Sequence, residues 1–303
     1  MISNLPTKKR ASINRLLKQK KHEDYEMLVK IEKNILFKKK SIFKLPKPFS
    51  PVIVPFSGGT DSTVLLYILI KVFKLIVYPY YVADQKRSKI EIRTAKKVIK
   101  EIKRSHPRHI HDLKVYINNN TSWSQKNGEL NKNNRSLVNT IIDFRQHFGL
   151  IHAHYLQQKS IISKTIICGI NADDGDYNPS QTLTNMRLHQ LEMIVKTGDK
   201  NWQFSSLFIE RELGFYFSKP ELMIIGKKLG APLSQTWSCF KAYPIHCGIC
   251  GNCQIRKMDF EKARIKDRTL YLDQIPQLIN IPKKIIKKVI KKIIRKTYAT
   301  FRK

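Results

Sequence analysis

Acidic residues are scarce in this chain. Its 303 residues include 23 Asp and Glu against 57 Lys and Arg, a formal net charge of +34. Such a field attracts polyanions such as nucleic acid, with a strength that falls as salt rises. A Lys-, Asn- and Ile-rich vocabulary also fits an AT-rich genome, with much of the Lys simply solvated. Long apolar runs are missing too. None approaches the ~18 residues that a spanning helix needs, which excludes a membrane span. The opening residues, Met1-Ile2-Ser3-Asn4, show no apolar stretch followed by a small-residue cleavage site, so a soluble, cytoplasmic protein is expected. Cysteines number only five and are unevenly placed, four of them crowded between 239 and 253. A disulfide framework would spread pairs along a short secreted chain, whereas this crowding points to metal. Hydrophobic residues at 42% exclude disorder as the overall description. The length suits one catalytic domain with extensions.

The pattern along the chain divides it into four parts. Residues 1–48 form a basic leader with helical apolar spacing, ending in the turn Leu45-Pro46-Lys47-Pro48. Residues 49–235 alternate strand and helix patterns. Val52-Ile53-Val54-Pro55-Phe56 is a wholly apolar run, as expected for a strand buried on both faces of a parallel sheet. Further strands are predicted over 75–83, 113–117 and 165–170, with helices over 61–71, 90–103 and 141–158. An Asn-rich stretch, 118–134, reads as an irregular loop. Strands separated by helices imply an α/β fold, a Rossmann-like parallel sheet flanked by helices, with ligands beyond the strands' carboxyl ends. Residues 236–270 hold the clustered cysteines. Residues 271–303 pair apolar and basic residues, as in Ile285-Ile286 and Lys287-Lys288. A helix docked on the core, a membrane-surface helix and a nucleic-acid-binding arm all fit that tail.

Ser57-Gly58-Gly59-Thr60-Asp61-Ser62 follows the first strand and opens the first helix. Glycines there allow close backbone approach, and N–H groups at the helix start favour an anion. Ser57, Thr60 and Ser62 add hydroxyl donors. Asp61 is expected to cap the helix or to hold the metal that accompanies a nucleotide's phosphates. No Lys follows the glycines where a Gly-x4-Gly-Lys loop requires one. The segment resembles instead the SGG-x-DS loop of the PP-loop ATP pyrophosphatases (an adenine nucleotide alpha-hydrolase-like fold). That resemblance implies ATP binding, transfer of AMP to a carbonyl or carboxylate oxygen, and release of pyrophosphate.

Cys239, Cys247, Cys250 and Cys253 offer four thiolates within fifteen residues. Short Cys-x2-Cys steps suit a tetrahedral ion, and four protein ligands leave no position for an activated water, so a structural zinc is expected. An iron–sulfur cluster or a redox Cys-x2-Cys pair are the alternatives. Cys168, on an apolar strand, reads as a buried unreactive thiol.

Around those cysteines, Thr236-Trp237-Ser238-Cys239-Phe240 and Cys247-Gly248-Ile249-Cys250-Gly251-Asn252-Cys253-Gln254-Ile255-Arg256 resemble the C-terminal signature of the 7-cyano-7-deazaguanine synthases. Ser218-Lys219 before a helix, Leu229-Gly230 at its end, and Gly169-Ile170-Asn171-Ala172-Asp173-Asp174 also follow that family's order, with Tyr177 and Pro179 as a looser match. The resemblance implies ATP-dependent adenylation of 7-carboxy-7-deazaguanine and reaction with ammonia to give an amide and then a nitrile. It implies catalytic roles for Asp61, Ser62 and Lys219. Phe56, Ser57, Gly58, Gly59, Thr60, Asp61, Ser62, Thr63, Val64, Leu65, Leu66, Arg145, Gly169 and Asp174 are the implied nucleotide contacts, with Mg2+ on the phosphates. Asp84-Gln85-Lys86-Arg87 with Glu91, and Arg145-Gln146, only approximate the family's motifs at those places.

Other readings stay open. A related PP-loop enzyme would stop at the amide or modify a base within tRNA or DNA, and a nucleic-acid-binding defence module would keep the ATP site. A homo-oligomer is compatible with all of them. Asp173, Asp174 and Asp176 suit magnesium, the base's polar edge or a plain Asp-rich turn. His147, His152 and His154 share a predicted helix without a carboxylate or cysteine partner and read as solvated or satisfied histidines.

Overall fold

The computed structural model describes residues 43–83, 88–117, 163–173, 190, 201–210, 213–241 and 245–274. Most of the leader, the Asn-rich stretch, the predicted helix over 141–158 and the basic tail lie outside these residues. So do Asp84 to Arg87, Arg145, Gln146, His147, His152, His154, Asp174, Asp176, Tyr177 and Pro179.

Strand β1 (Pro51–Pro55) buries its three middle residues, Val52, Ile53 and Val54, completely. It lies at the centre of a sheet whose every pairing is parallel, so both faces are covered and an unbroken apolar run is what the position demands. β2 (Ile76–Ala83), β3 (Lys114–Ile117), β4 (Thr165–Cys168) and β5 (Gln203–Ser206) complete the order β3-β2-β1-β4-β5. Val52 pairs with Val77 on one side of β1, and Ile53 pairs with Ile166 on the other. The chain thus proceeds outward from β1 in one direction and then returns to its other side. That reversal opens a crevice beyond the carboxyl ends of β1 and β4, the usual ligand position in such sheets.

The predicted strands and the helix over 90–103 are observed within a few residues, the latter as α2 (Ser88–Ser105). The helix predicted over 61–71 divides. α1 (Thr60–Tyr67) passes into a π-turn over Ile68–Val72, closed by Phe73 N–H donating to Ile68 O at 3.2 Å. The wider turn sends Ile68, Leu69 and Ile70 together into the core. It also lets Lys71 Nζ donate to Leu229 O at 2.8 Å, at the C-terminal end of α3 (Lys219–Leu229). α3 opens with a Ser218–Glu221 capping box and closes on Gly230, whose φ of 76° is the left-handed cap. α1 and α3 pack with no room to spare, since a Cβ on Gly226 would meet Val64 Cγ2 at 2.6 Å.

β5 was not foreseen, because Gln203-Phe204-Ser205-Ser206 has no apolar run. Its serines are nonetheless fully buried. Ser206 Oγ donates to Cys168 O at 3.1 Å, and Ser205 Oγ donates to Glu210, so the hydroxyls are satisfied inside the sheet layer. α4 (Gly251–Lys262) follows directly from the cysteine segment and packs against α3. Among the described residues, no helix is long and apolar enough to cross a membrane.

Candidate nucleotide site and cysteine cluster

The loop after β1 takes its shape from two glycines. Gly58 has φ 76°, and a Cβ there would lie 2.8 Å from Ala95 N, so the backbone of α2 closes against it. Gly59 is the N-cap of α1 and makes no side-chain cap. The expected capping by Asp61 is therefore corrected: Asp61 is the second residue of the helix, past the capping position. Ser57 Oγ accepts from Gly59 N–H at 3.3 Å and lies 3.4 Å from Ser62 Oγ, which donates to Gly59 O at 3.2 Å. These bonds hold two hydroxyls beside the first turn of α1, where the helix N-terminus favours an anion.

Phe56, Val64, Leu65 and Leu66 are buried in the main core, and Thr60 and Thr63 are buried as well. Their side chains support the loop from beneath. Gly169, just past β4, sits against the same helix start: a Cβ on it would lie 3.2 Å from Ser62 N and Cα. The two carboxyl-end loops therefore meet at the crevice.

Three charged groups from separate elements also converge here. Lys219 Nζ lies 3.4 Å from Asp61 Oδ2, and Lys219 N–H donates to Asp173 Oδ2 at 2.8 Å. Asp173 N–H in turn donates to Asn171 Oδ1 at 2.8 Å. Asp259 of α4, which sequence reasoning missed, is buried nearby, and its Oδ2 has no hydrogen-bond partner among the described residues. Burial raises its carboxyl above the ordinary aspartate range, against the opposing charges of Lys219, Lys262 and Arg256. The available signal was its place on the face of α4 that also carries Arg256 and Phe260.

Arg256 is the junction between this site and the cysteines. Its Nη1 lies 2.9 Å from both Thr60 Oγ1 and Thr236 Oγ1, and 3.1 Å from Ser238 Oγ. Nη2 donates to Leu233 O at 2.7 Å and to Thr269 Oγ1 at 3.0 Å. Trp237 N–H donates to Gly58 O at 2.9 Å, a second tie between the cysteine segment and the loop. Ser238 N–H donates to His246 Nε2 at 3.1 Å. Burial, helped by the Arg256 charge, lowers that imidazole to about 3 and keeps it a neutral acceptor.

The Sγ atoms of Cys239, Cys247, Cys250 and Cys253 all lie within 4.8 Å of one another. Two of the separations, Cys247 to Cys253 and Cys239 to Cys250, are 3.9 Å. Sulfurs at the corners of a tetrahedron with ~2.3 Å metal bonds would be about 3.8 Å apart, so the donor set fits one ion. Backbone N–H groups of Lys241 and Cys247 point at Cys239 Sγ at 3.3 and 3.4 Å, and Cys250 N–H points at Cys247 Sγ at 3.3 Å. Burial raises the Cys239 and Cys253 thiols. Burial opposes ionisation of Cys250 too, but donors from Phe240 and Cys253 outweigh it and bring that thiol to about 6. Gly248 sits at φ 81°, a left-handed conformation that strains any other residue, and a Cβ there would also have to displace the Asp273 carboxylate. Lys257 Nζ fixes that carboxylate at 2.7 Å and donates to Gly248 O at 3.2 Å.

Residues 51–264 match the family described as queuosine biosynthesis protein QueC. The chain belongs to that family. Among curated relatives, the 7-cyano-7-deazaguanine synthase of Campylobacter jejuni is 27% identical over 221 residues, covering 71% of this chain and 95% of the relative. That of Leptospira interrogans is 29% identical over 228 residues, covering 71% and 88%. A shorter stretch of 56 residues is 48% identical to the Brucella anthropi synthase, spanning 18% of this chain and about a quarter (24%) of the relative. Among solved structures, the U34-tRNA thiolase NcsA from Methanococcus maripaludis with its [4Fe-4S] cluster aligns over 80% of this chain and 78% of its own, at 14% identity and a TM-score of 0.37. As a QueC-family member, the chain is a 7-cyano-7-deazaguanine synthase-like enzyme of queuosine-type biosynthesis, forming C–N bonds at the expense of ATP.

Proposed function

We propose that this chain converts 7-carboxy-7-deazaguanine into the nitrile 7-cyano-7-deazaguanine in two adenylation rounds, at the crevice beyond β1 and β4. The observation that carries this reading is the meeting of the Ser57–Ser62 loop with Gly169 and with the Asp61–Lys219 pair. In the first round the substrate carboxylate attacks the α-phosphorus of ATP, pyrophosphate leaves, and an acyl adenylate forms. Ammonia then adds to the acyl carbon and AMP departs with the oxygen, giving the amide. In the second round the amide oxygen is adenylated in the same way, and loss of AMP and a proton leaves the nitrile. Hydroxide is a poor leaving group, and AMP takes its place in both rounds.

The chain's residues supply position and charge. N–H groups of the α1 first turn, with Ser57 and Ser62, hold the departing pyrophosphate, and fixed donors of this kind need no reorganisation as charge develops. Lys219, 3.4 Å from Asp61, stands where it can reach the phosphates, and the Asp61 carboxylate would hold the Mg2+ that neutralises their charge. Arg145, Asp174 and Gly169 belong to the same proposed nucleotide site. Zinc is the proposed ion of the four cysteines, as a structural cross-link that supplies no chemistry to the reaction. The proposal places the enzyme in the cytoplasm, acting on small molecules. The net charge of +34 supports a further, salt-sensitive contact with nucleic acid.

Mass spectrometry of the products tests the reading, with enzyme, ATP, Mg2+, ammonia and the deazaguanine acid. The nitrile is expected, with AMP and pyrophosphate. An amide that accumulates and goes no further would contradict the second round. An acid left unchanged would contradict the substrate.

A further inference from the structure

We propose that Arg256 is a positioning residue for the nucleotide loop, setting the start of α1 from the cysteine side of the molecule. The inference rests on the nucleotide reading of that loop. Arg256 is 2% exposed, and a charge so deeply buried needs a reason. Among the described residues, no carboxylate accepts a hydrogen bond from it. Its fork is spent on hydroxyls and a carbonyl: Thr60, Thr236 and Ser238 on one nitrogen, Leu233 and Thr269 on the other.

The loop side of this fork is the informative one. Thr60 is the first residue of α1, between the cap Gly59 and Asp61. Its Oγ1 accepts from Arg256 and lies 3.1 Å from Thr236 Oγ1, which Arg256 also holds. The next residue, Trp237, bonds the carbonyl of Gly58. One guanidinium therefore fixes both the first helical residue and the segment that anchors the glycine turn. Arg256 lies one turn past Cys253 on α4, whose N-cap is Cys250, so one helix carries the loop anchor and joins it to two of the four cysteines. A lysine cannot reproduce this, because an ammonium has three donors and no planar fork.

A buried arginine with only a structural role would tie down all its acceptors alike. Thr236 and Thr269 separate the two cases: both are buried and both accept from Arg256, but only Thr236 touches the loop side. The test is calorimetric binding of α,β-methylene-ATP with Mg2+ to the metal-loaded full chain, in wild type, Thr236→Val, Thr236→Ser, Thr269→Val and Arg256→Lys. Melting temperature and metal content are measured on the same samples. Thr236→Val is expected to weaken binding about tenfold, while Thr269→Val changes it less than twofold despite a similar fall in melting temperature. Thr236→Ser, which keeps the hydroxyl, is expected to restore wild-type affinity. Arg256→Lys is expected to weaken binding with the metal retained. Equal affinities in Thr236→Val and Thr269→Val, or wild-type affinity in Arg256→Lys, would overturn the positioning role. A wild-type chain that binds no nucleotide would overturn the loop reading as well, and the positioning role with it.

Discussion

At the scale of single residues, the sequence spoke most clearly where chemistry needs a fixed residue type. Gly58 and Gly59, the flanking hydroxyls and the four cysteines were all legible as candidates, and the structure brings each set together. Asp61 was legible as important but not in its partner: it pairs with Lys219, which lies far along the chain. Asp259 was not legible, since an acid on a mixed helix looks solvated until its surroundings are known. Its raised carboxyl has a measurable consequence. A carboxyl that holds its proton more tightly in the folded state contributes stability below the unfolded aspartate range of ~3.9, and that contribution is lost as pH rises through the folded value. Asp259→Asn removes the burden of ionisation. Its melting temperature is expected to match wild type at the acid end and to exceed it by about 2–4 °C near neutrality. A gap that stays constant with pH would contradict the assignment.

At the scale of elements, legibility followed burial. β4 along its length and the middle of β1 are buried and were read from apolar runs, whereas β5 hides two serines whose hydroxyls are satisfied only by neighbours. The π-turn after α1 could not be read from periodicity, which runs unbroken through Ile68–Val72. α3 was placed by the family resemblance, through Ser218-Lys219 at its start and Leu229-Gly230 at its end, and the structure adds the Ser218–Glu221 capping box. The cysteine segment is an element of another kind, held by its donors more than by a core of its own. Metal analysis of the purified chain is expected to find about one zinc per chain. Removing it with a chelator is expected to lower the melting temperature by roughly 10 °C or more, because binding free energy at such sites is folding free energy. Iron in place of zinc would contradict the assignment, as would a metal-free chain with an unchanged melting temperature.

At the scale of the whole molecule, the alternation of strands and helices was enough to foresee a parallel sheet, with the glycine loop at the carboxyl end of β1. The strand order was not, because it depends on β4 returning to the far side of β1, a choice made by long-range packing. That return creates the crevice, and it is also what sets Gly169 against Ser62. The cysteine segment then closes the arrangement through Arg256 and Trp237, so loop and cluster form one construction.

The central claim is that oxygen leaves the substrate attached to AMP, and isotope transfer tests it most directly. With both carboxylate oxygens of the deazaguanine acid labelled as 18O, each of the two AMP molecules released per nitrile is expected to carry one labelled oxygen. Label in inorganic phosphate, or AMP released without label, would contradict adenylation of the substrate.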